Sequence, residues 1–276
     1  MNNSLFTLEG KVAVVTGAGG LLGLRHCQAL ANAGSAVIMT DILGEDDLSR
    51  KISECLPDAP AGRVTCVSSD VTSEESMLRL RETVLRKYRR IDVLVNNAAV
   101  NDAVEEHTNG DSTEKGFDTY PLWEWNRLVN VNLTGTFICC KIFGCVMARQ
   151  GRGSIINIAS TYGIVGPDQG IYERPDGSRL MFKSPAYCAT KGGVLSLTRY
   201  LAAYWGTAGV RVNALSPGGT ENNQEEFFIR NYSCKTMLNR MAGPDEYQGA
   251  VVFLASDASS YMTGANLIID GGWTAW

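Results

Sequence analysis

Short runs of β-branched and other apolar residues alternate along the whole chain with stretches of helical hydrophobic spacing. Parallel strands joined by crossover helices produce this alternation. We therefore predict an α/β fold with a doubly wound, seven-stranded parallel sheet and helices on both faces. The predicted strands cover residues 12–15, 36–39, 64–67, 92–95, 155–158, 210–214 and 267–269.

The alternation runs through the chain without a repeat period, a low-complexity tract or a Pro/Ser-rich linker. A chain of 276 residues with 45% hydrophobic content can bury one sizeable core. We therefore expect a single domain over residues 1–276.

Charge and hydropathy exclude several partners. The net charge is -4 and the sequence pI is about 5.3, with no block of Lys and Arg to bind nucleic acid. Residues 1–10 lack the basic start and apolar run of a signal peptide, and we expect no segment apolar enough to cross a membrane. These observations predict a cytoplasmic protein.

Cysteine and histidine usage argues against metal and hydrolase chemistry. The eight cysteines lie mostly in apolar helix or strand patterns, without a Cys-x-x-Cys pair, and are expected to be reduced core thiols. The two histidines, His26 and His107, are too few for a zinc cluster with these cysteines. Neither is placed as the base of a Ser-His-Asp hydrolase.

A glycine-rich segment, Thr16-Gly17-Ala18-Gly19-Gly20-Leu21-Leu22-Gly23, follows the first predicted strand and begins a helix. Glycine allows the backbone to approach a pyrophosphate closely, and the N-terminus of the helix favours the phosphate charge. The position therefore indicates a Rossmann-type dinucleotide site, although tight packing alone also explains such a cluster.

Asp41 ends the second predicted strand, where a carboxylate can accept hydrogen bonds from the adenosine ribose. The same charge repels a 2′-phosphate. Asp41 thus favours NAD(H) over NADP(H), and the alternative is an ordinary turn residue.

Tyr187 and Lys191 lie four residues apart in a predicted helix and therefore on one face. A free tyrosine has a pKa of about 10, so a neighbouring ammonium is expected to stabilise the phenolate. Alone, the pair also fits a half-buried aromatic ring beside a solvated amine.

As an ordered set, these motifs resemble the short-chain dehydrogenase/reductase family, in its shorter single-domain branch, over nearly the whole chain. The matching segments are 16–23, 41, 70–71, 96–99, 132–135, 158–160, 187–191, 216–219 and 270–272.

The resemblance implies a catalytic tetrad. Tyr187 would exchange the hydroxyl proton, Ser160 would hold the substrate oxygen, and Lys191 would bind the nicotinamide ribose. Asn132 would anchor the water that passes the proton to solvent. The alternatives are a turn residue for Ser160, a helix-kink residue for Asn132 and a surface amine for Lys191.

The resemblance also implies the cofactor contacts. It places the adenine at Asp70 and Val71. Asp70 could equally cap the helix that begins near Ser73, and the two roles are compatible. The adjacent ribose would lie near Asn97. The pyrophosphate would contact Gly17, Gly20, Leu22 and Gly23. The nicotinamide would contact Pro217, Gly218 and Thr220.

Two departures from the family pattern concern the cofactor side. Gly17, Gly20 and Gly23 are spaced by three, as in the longer, sugar-nucleotide-modifying branch, and the middle glycine of the shorter branch would fall at Leu21. Ala99 replaces the usual glycine. Pyrophosphate binding is still expected.

Two long segments, 101–122 and 161–185, follow strands and are expected to line the mouth of the active site. Their polarity suits a hydroxyl-rich or charged substrate, unless they are solvated loops or oligomer contacts. Residues 220–242 occupy the position of the family's mobile substrate lid. Together these features resemble relatives associated with bacterial surface glycans.

The C-terminal residues Trp273 and Trp276 would be costly on the surface of a monomer, so a homotetramer, or a dimer, is expected.

Taken together, these motifs predict an NAD(P)-dependent oxidoreductase that transfers a hydride between nicotinamide and a small-molecule alcohol or carbonyl. Two alternatives stay open, an NAD-retaining sugar epimerase or dehydratase and a non-catalytic NAD sensor.

Overall fold

The computed structural model describes residues 3–55, 62–101 and 116–276. Within them, all seven predicted strands form one parallel sheet in the order β3-β2-β1-β4-β5-β6-β7. Their bounds are β1 Val12–Thr16, β2 Ala36–Asp41, β3 Val64–Ser68, β4 Val93–Asn96, β5 Gly153–Ile158, β6 Val210–Pro217 and β7 Asn266–Ile269.

The strand ends differ from the prediction by one to three residues. Asp92 lies just before β4, where its carboxylate accepts a hydrogen bond from the backbone N–H of Val12, at 2.9 Å, and pairs with Arg90. Strand β6 continues to Pro217, which pairs with Ile269. Pairing with the edge strand β7 thus extends β6 beyond its predicted end.

Helices cover both faces of the sheet. Their bounds are α1 Leu21–Asn32, α2 Glu45–Cys55, α3 Glu74–Tyr88, α4 Leu122–Leu128, α5 Thr136–Gln150, α6 Pro185–Trp205, α7 Glu226–Ser233 and α8 Gln248–Ala255. Alternate residues of β1 point to opposite sides. Val12 and Val14 contribute to a core with α3, α5 and α6, whereas Ala13 and Val15 contribute to a core with α1 and α8.

The chain winds outward from β1 to β3 and then returns to place β4 on the other side of β1. The carboxyl ends of β1 and β4 therefore border the point where the strand order reverses. Ligands of open α/β sheets bind in the crevice at such a point.

Helices α4 and α5 are joined without a break by a π-helical segment, Val129–Gly135. The combined stretch Leu122–Gln150 is long and apolar enough, by length and composition, to cross a membrane, so our expectation that no segment meets this criterion was wrong. Its most apolar part is 61% buried, and residues of α5 such as Phe143 belong to a core against the sheet. Core helices of globular domains meet the same criterion.

The expectation of reduced core thiols holds for only part of the cysteines. Cys27, Cys139 and Cys140 are buried, but Cys145 and Cys234 are exposed. Cys145 lies on the outward face of α5, and Cys234 follows α7. No disulfide forms among the cysteines that the structure describes.

Candidate active site

A cleft of about 540 Å³ opens at the carboxyl ends of the strands, at the reversal of strand order. Most of the predicted site residues line it. They are Gly17, Gly20, Leu22, Asp41, Asp70, Val71, Asn97, Ser160, Tyr187, Lys191, Pro217, Gly218 and Thr220. Gly23 and Asn132 lie behind the cleft wall.

The glycine segment forms a tight turn between β1 and α1. Gly17 has a φ of +60°, a conformation that favours glycine. A Cβ atom on Gly23 would lie 2.2 Å from the backbone oxygen of Gly17, so this position also requires glycine. The turn therefore brings the backbone and the N-terminus of α1 to the cleft, as a bound pyrophosphate requires.

Asp41 lies at the end of β2, on the cleft wall. One carboxylate oxygen accepts a hydrogen bond from the backbone N–H of Gly19, at 2.9 Å, and the other from that of Leu43, at 3.3 Å. These bonds fix the carboxylate beside the glycine turn. Its remaining lone pairs can accept hydrogen bonds from ribose hydroxyls.

Asn97 holds the glycine turn from the neighbouring strand. Its side-chain amide donates to the backbone oxygens of Thr16, at 3.1 Å, and Gly17, at 2.9 Å. Asn97 therefore lines the cleft and also stabilises the backbone of the glycine turn.

Asp70 does not cap α3. The N-cap is Ser73, whose hydroxyl accepts from the backbone N–H of Ser76, at 3.2 Å. Asp70 instead accepts from the backbone N–H and the hydroxyl of Thr72, at 2.8 and 2.7 Å. Its carboxylate forms a local turn before the helix, so the capping alternative was wrong.

Ser160 and Tyr187 both line the cleft, and the hydroxyl of Ser160 interacts with that of Tyr187. Ser160 follows β5, and Tyr187 lies in the first turn of α6, whose N-cap is Ser184 and whose first residue is Pro185. The hydrogen bond to Ser160 lowers the pKa of Tyr187, but burial has a larger effect, and the pKa lies above its ordinary value. The two groups form a hydroxyl pair at which a substrate oxygen can bind.

Lys191 lies one helical turn beyond Tyr187, and its ammonium is buried. Its Nζ donates to the backbone oxygen of Ile158, at 2.8 Å, and lies 5.7 Å from the centroid of the Tyr187 ring. Burial, with a contribution from Lys183, lowers the pKa of Lys191 to about 8. The expectation that Lys191 brings the Tyr187 pKa below 10 is not met, because burial disfavours both charged forms.

Asn132 lies in the π-helical segment and is 1% exposed. Its side chain accepts from the backbone N–H of Val100, at 2.8 Å, and donates to the backbone oxygen of Val100, at 3.0 Å. It also donates to Thr190 of α6, at 3.3 Å. Asn132 therefore joins the loop after β4 to the helix that carries Tyr187.

Residues of the segment 161–185 form one wall of the cleft. Tyr162 and Tyr172 line the wall with their hydroxyls 3.3 Å apart, and Lys183 lines it beside Tyr187. Tyr172 was expected here as one of the polar residues of the segment, whereas Tyr162 and Lys183 were not predicted. The capping sequence Ser184-Pro185 is the signal that could have placed Lys183 at the start of α6.

Residues 220–242, which we predicted to be a substrate lid, pack against the same segment. Phe228 and Tyr232 of α7 join Tyr162, Tyr172 and Trp273 in a buried aromatic cluster. The rings of Tyr232 and Trp273 are stacked, with centroids 4.4 Å apart. Trp273 is only 8% exposed, so our argument that it would be costly on the surface was wrong.

Charged residues also connect the lid to the segment 161–185. Lys235 pairs with Asp168, at 2.6 Å, and Arg174 pairs with Glu225, at 2.9 Å. Within the segment, Ile171 and Tyr172 are buried, whereas Glu173 and Asp176 are exposed. The segment therefore has a packed inner side and a solvated outer side.

The other long segment, 101–122, is described only at its ends. The hydroxyl of Tyr120 lies 2.7 Å from that of Ser184, at the start of α6. Four of its polar residues that we expected near the active site, Glu105, Glu106, His107 and Asp111, lie outside the described residues. The fifth, Asp118, lies in a short 3-10 helix, Phe117–Thr119, and is exposed.

Two family sequence patterns match consecutive parts of the chain. The sequence pattern of the family described as short chain dehydrogenase matches residues 11–173. A second pattern, described as enoyl-(acyl carrier protein) reductase, matches residues 176–274.

Individual relatives align over almost their whole length. A galactitol 2-dehydrogenase (L-tagatose-forming) of Cereibacter sphaeroides is 36% identical, over 99% of this chain and 98% of that protein. A D-threitol dehydrogenase of Mycolicibacterium smegmatis is 34% identical, over 98% and 95%. The crystal structure of a gluconate 5-dehydrogenase from Burkholderia cenocepacia, in complex with NADP and tartrate, superimposes over 100% of both chains, with a TM-score of 0.84 and 27% identity.

Proposed function

Because this chain belongs to the short-chain dehydrogenase family and is thus an NAD(P)-dependent oxidoreductase of secondary alcohols, we propose that Tyr187 is its acid/base and that its substrate is polar. The hydroxyl pair of Ser160 and Tyr187, in the cleft beside the glycine turn, carries the proposal. Asn132 and Lys191 complete the proposed catalytic set.

In the direction of oxidation, the carbinol oxygen binds between Ser160 and Tyr187. The O–H proton passes to the Tyr187 oxygen, and the C–H hydrogen leaves as hydride with both electrons, so that a C=O bond forms. In reduction, Tyr187 returns the proton to the oxygen. Since the pKa of Tyr187 is raised in the protein alone, we expect oxidation to accelerate as the pH rises and reduction to slow.

The described residues fit a dinucleotide. Gly17 and Gly20 would hold the pyrophosphate with the N-terminus of α1, Asp70 and Val71 would flank the adenine, and Pro217 to Thr220 would flank the nicotinamide. The nicotinamide supplies the acceptor or donor of the hydride. Lys191 would orient the adjoining ribose through its ammonium.

We further propose that NAD(H) is preferred to NADP(H). Asp41 places a carboxylate where the adenosine ribose would bind. Among the described residues of the cleft wall, the two ammonium groups are those of Lys183 and Lys191, and both lie beside Tyr187, away from Asp41. A 2′-phosphate would therefore meet a negative charge without a nearby cation.

The polar wall supports a polyhydroxylated substrate. Tyr162, Tyr172, Asn222 and Gln224 line the cleft together with the catalytic hydroxyls. The names of the aligned dehydrogenases of galactitol and D-threitol agree with this choice. The resemblance to surface-glycan enzymes stays a prediction.

The test is a screen of polyols, sugars, sugar acids and apolar ketones with both cofactors, followed by NADH absorbance at several pH values. Tyr187→Phe should lower kcat by about 10³-fold while the Kd of NAD changes little, since general acid–base catalysis contributes 10²–10⁴-fold. Full activity of Tyr187→Phe would contradict the assignment. If the wild-type protein binds NAD but oxidises or reduces none of these compounds, and if Tyr187→Phe leaves NAD binding unchanged, the protein is a sensor.

We also propose a homo-oligomer, a tetramer or a dimer, in the cytoplasm. Trp276 is 72% exposed, and Phe137 of α5 and Tyr204 of α6 are exposed as well. Aromatic residues are enriched at interfaces. Light scattering that shows a stable monomer would contradict this proposal, and cell fractionation tests the location.

A further inference from the structure

Lys183 places a second buried ammonium in the active site. Its residue is 7% exposed, and its Nζ lies 4.4 Å from the centroid of the Tyr187 ring, closer than the 5.7 Å of Lys191. The Nζ of Lys183 also hydrogen-bonds to the side-chain oxygen of Asn101. The charge therefore lies over the ring whose hydroxyl exchanges the proton.

The backbone of Lys183 is held in place. Its N–H donates to the side-chain oxygen of Gln169, at 2.9 Å, and its C=O accepts from the amide nitrogen of Gln169, at 3.4 Å. The next residue, Ser184, is the N-cap of α6. Lys183 is thus fixed by two elements of the cleft wall and is not a surface lysine that only touches the site.

Two ammonium groups in one buried cleft repel each other. The charge of Lys183 contributes to the lowered pKa of Lys191. Among the described residues that line the cleft, the carboxylates are those of Asp41 and Asp70, on the cofactor side, and the proposed hydride transfer uses only Lys191. A negatively charged group on a ligand would relieve the repulsion and would gain a charge-assisted hydrogen bond.

We infer that the substrate is a polyhydroxylated compound with an anionic group, a carboxylate or a phosphate, that binds Lys183 while its carbinol lies against Ser160 and Tyr187. The inference rests on the proposed function of the same cleft and specifies its substrate class. The hydroxyls of Tyr162 and Tyr172 bind the remaining hydroxyl groups. Lys183 is then a specificity-determining residue.

A different role for Lys183 makes a different prediction. If the ammonium acted only through the electrostatics of Tyr187, its removal would slow the oxidation of neutral and anionic alcohols equally. If it bound an anionic group, the loss would depend on the charge of the substrate. The ratio of the two losses therefore separates the two roles.

The experiment compares wild-type protein with Lys183→Met, Lys183→Arg and Lys87→Met, an exposed lysine on α3 that serves as the matched control. Substrates are D-glucitol, D-gluconate and D-glucitol 6-phosphate, extended to other neutral polyols, sugar acids and sugar phosphates. We expect Lys183→Met to lower kcat/KM for the preferred anion at least about tenfold more than for the neutral polyol. Lys183→Arg should retain part of the preference, and the carboxylate and phosphate series show which anion is bound.

Binding is measured in parallel by calorimetry on the NAD complex of Tyr187→Phe, with and without Lys183→Met, so that turnover is not needed. If anions bind through Lys183 but no compound reduces NAD, this inference stands and the proposed function is wrong. If neutral polyols are oxidised in preference to every anion, or if Lys183→Met affects both classes equally, the proposed function stands and the inference is wrong. The inference is also wrong if no anion of the panel binds in a Lys183-dependent manner.

Discussion

The cofactor half and the substrate half of the cleft are built in different ways. The cofactor half consists of short turns at strand ends, where Gly17 and Gly20 line the cleft. The carboxylate of Asp41 is held there by a hydrogen bond from the backbone N–H of Gly19. The substrate half consists of side chains from segments far apart in sequence, such as Tyr162, Phe228 and Trp273.

This difference shows where specificity can change at low cost. A substitution in the cofactor half meets backbone atoms that cannot move aside, as at Gly23. A substitution in the substrate half meets side chains, which can repack. We therefore expect the first half to tolerate little change and the second to accommodate new substrates.

The strongest test of this comparison is Gly23→Ala. The new methyl group would lie 2.2 Å from the backbone oxygen of Gly17 and 2.8 Å from the Cα of Ala18, so the turn must deform. We expect no measurable NAD binding by calorimetry. The near-UV circular dichroism of the aromatic cluster should persist if the halves are independent, and its loss would show that they are coupled.

A second test concerns His26, which lies in α1 beneath the cofactor half. The side chain is fully buried, neither ring nitrogen has a hydrogen-bond partner among the described residues, and burial lowers its pKa from 6.5 to about 4. The unfolded chain therefore binds more protons between these values, and the free energy of unfolding falls as the pH drops through that window. The full loss is about 3 kcal/mol.

Denaturant unfolding at pH 8 and pH 5 measures this effect. Wild-type protein should lose roughly 2 kcal/mol more than His26→Leu over that interval, because the variant has no group to protonate. Equal losses in both proteins would show that His26 does not titrate in this way.

The cofactor preference gives a smaller effect. Asp41→Ala should weaken NAD about tenfold and tighten NADP by a similar factor, since a hydrogen bond to a charged group is lost and a repulsion is removed. Asp46→Ala, an exposed residue of α2, is the matched control. Fluorescence titration with both cofactors provides the Kd values. If the ratio of the Kd of NAD to that of NADP does not change, Asp41 only stabilises the glycine turn and does not determine the cofactor preference.

The smallest effect is expected in the substrate half, for the pair of Asp168 and Lys235. Both side chains are nearly half exposed, and ion pairs of this kind contribute less than about 1 kcal/mol. A double-mutant cycle with Asp168→Asn and Lys235→Met should give a coupling free energy below that limit and a modest rise in KM. A coupling of several kcal/mol would mean that the pair holds the lid closed by itself.

The sequence predicted the fold and the cofactor half because their signals are local. Seven strands, the glycine turn and Asp41 follow from runs of a few residues and from hydrophobic spacing. The sequence also predicted that the segment 161–185 lines the mouth of the site, but it did not identify Lys183 and Tyr162. Their positions depend on contacts with Gln169, α7 and the C-terminal segment. The direction of the Tyr187 pKa depends on burial, which residue spacing does not report.

The π-helical turn at Val129–Gly135 makes the chain sensitive to length at this point. A π-helical turn accommodates one extra residue in an otherwise continuous helix, so removing one residue there would restore ordinary α-helical winding. The side chains within the turn would then change direction, and Asn132 would lose its hydrogen bonds with Val100. Single-residue deletions in this turn should therefore be far less tolerated than substitutions at the same positions.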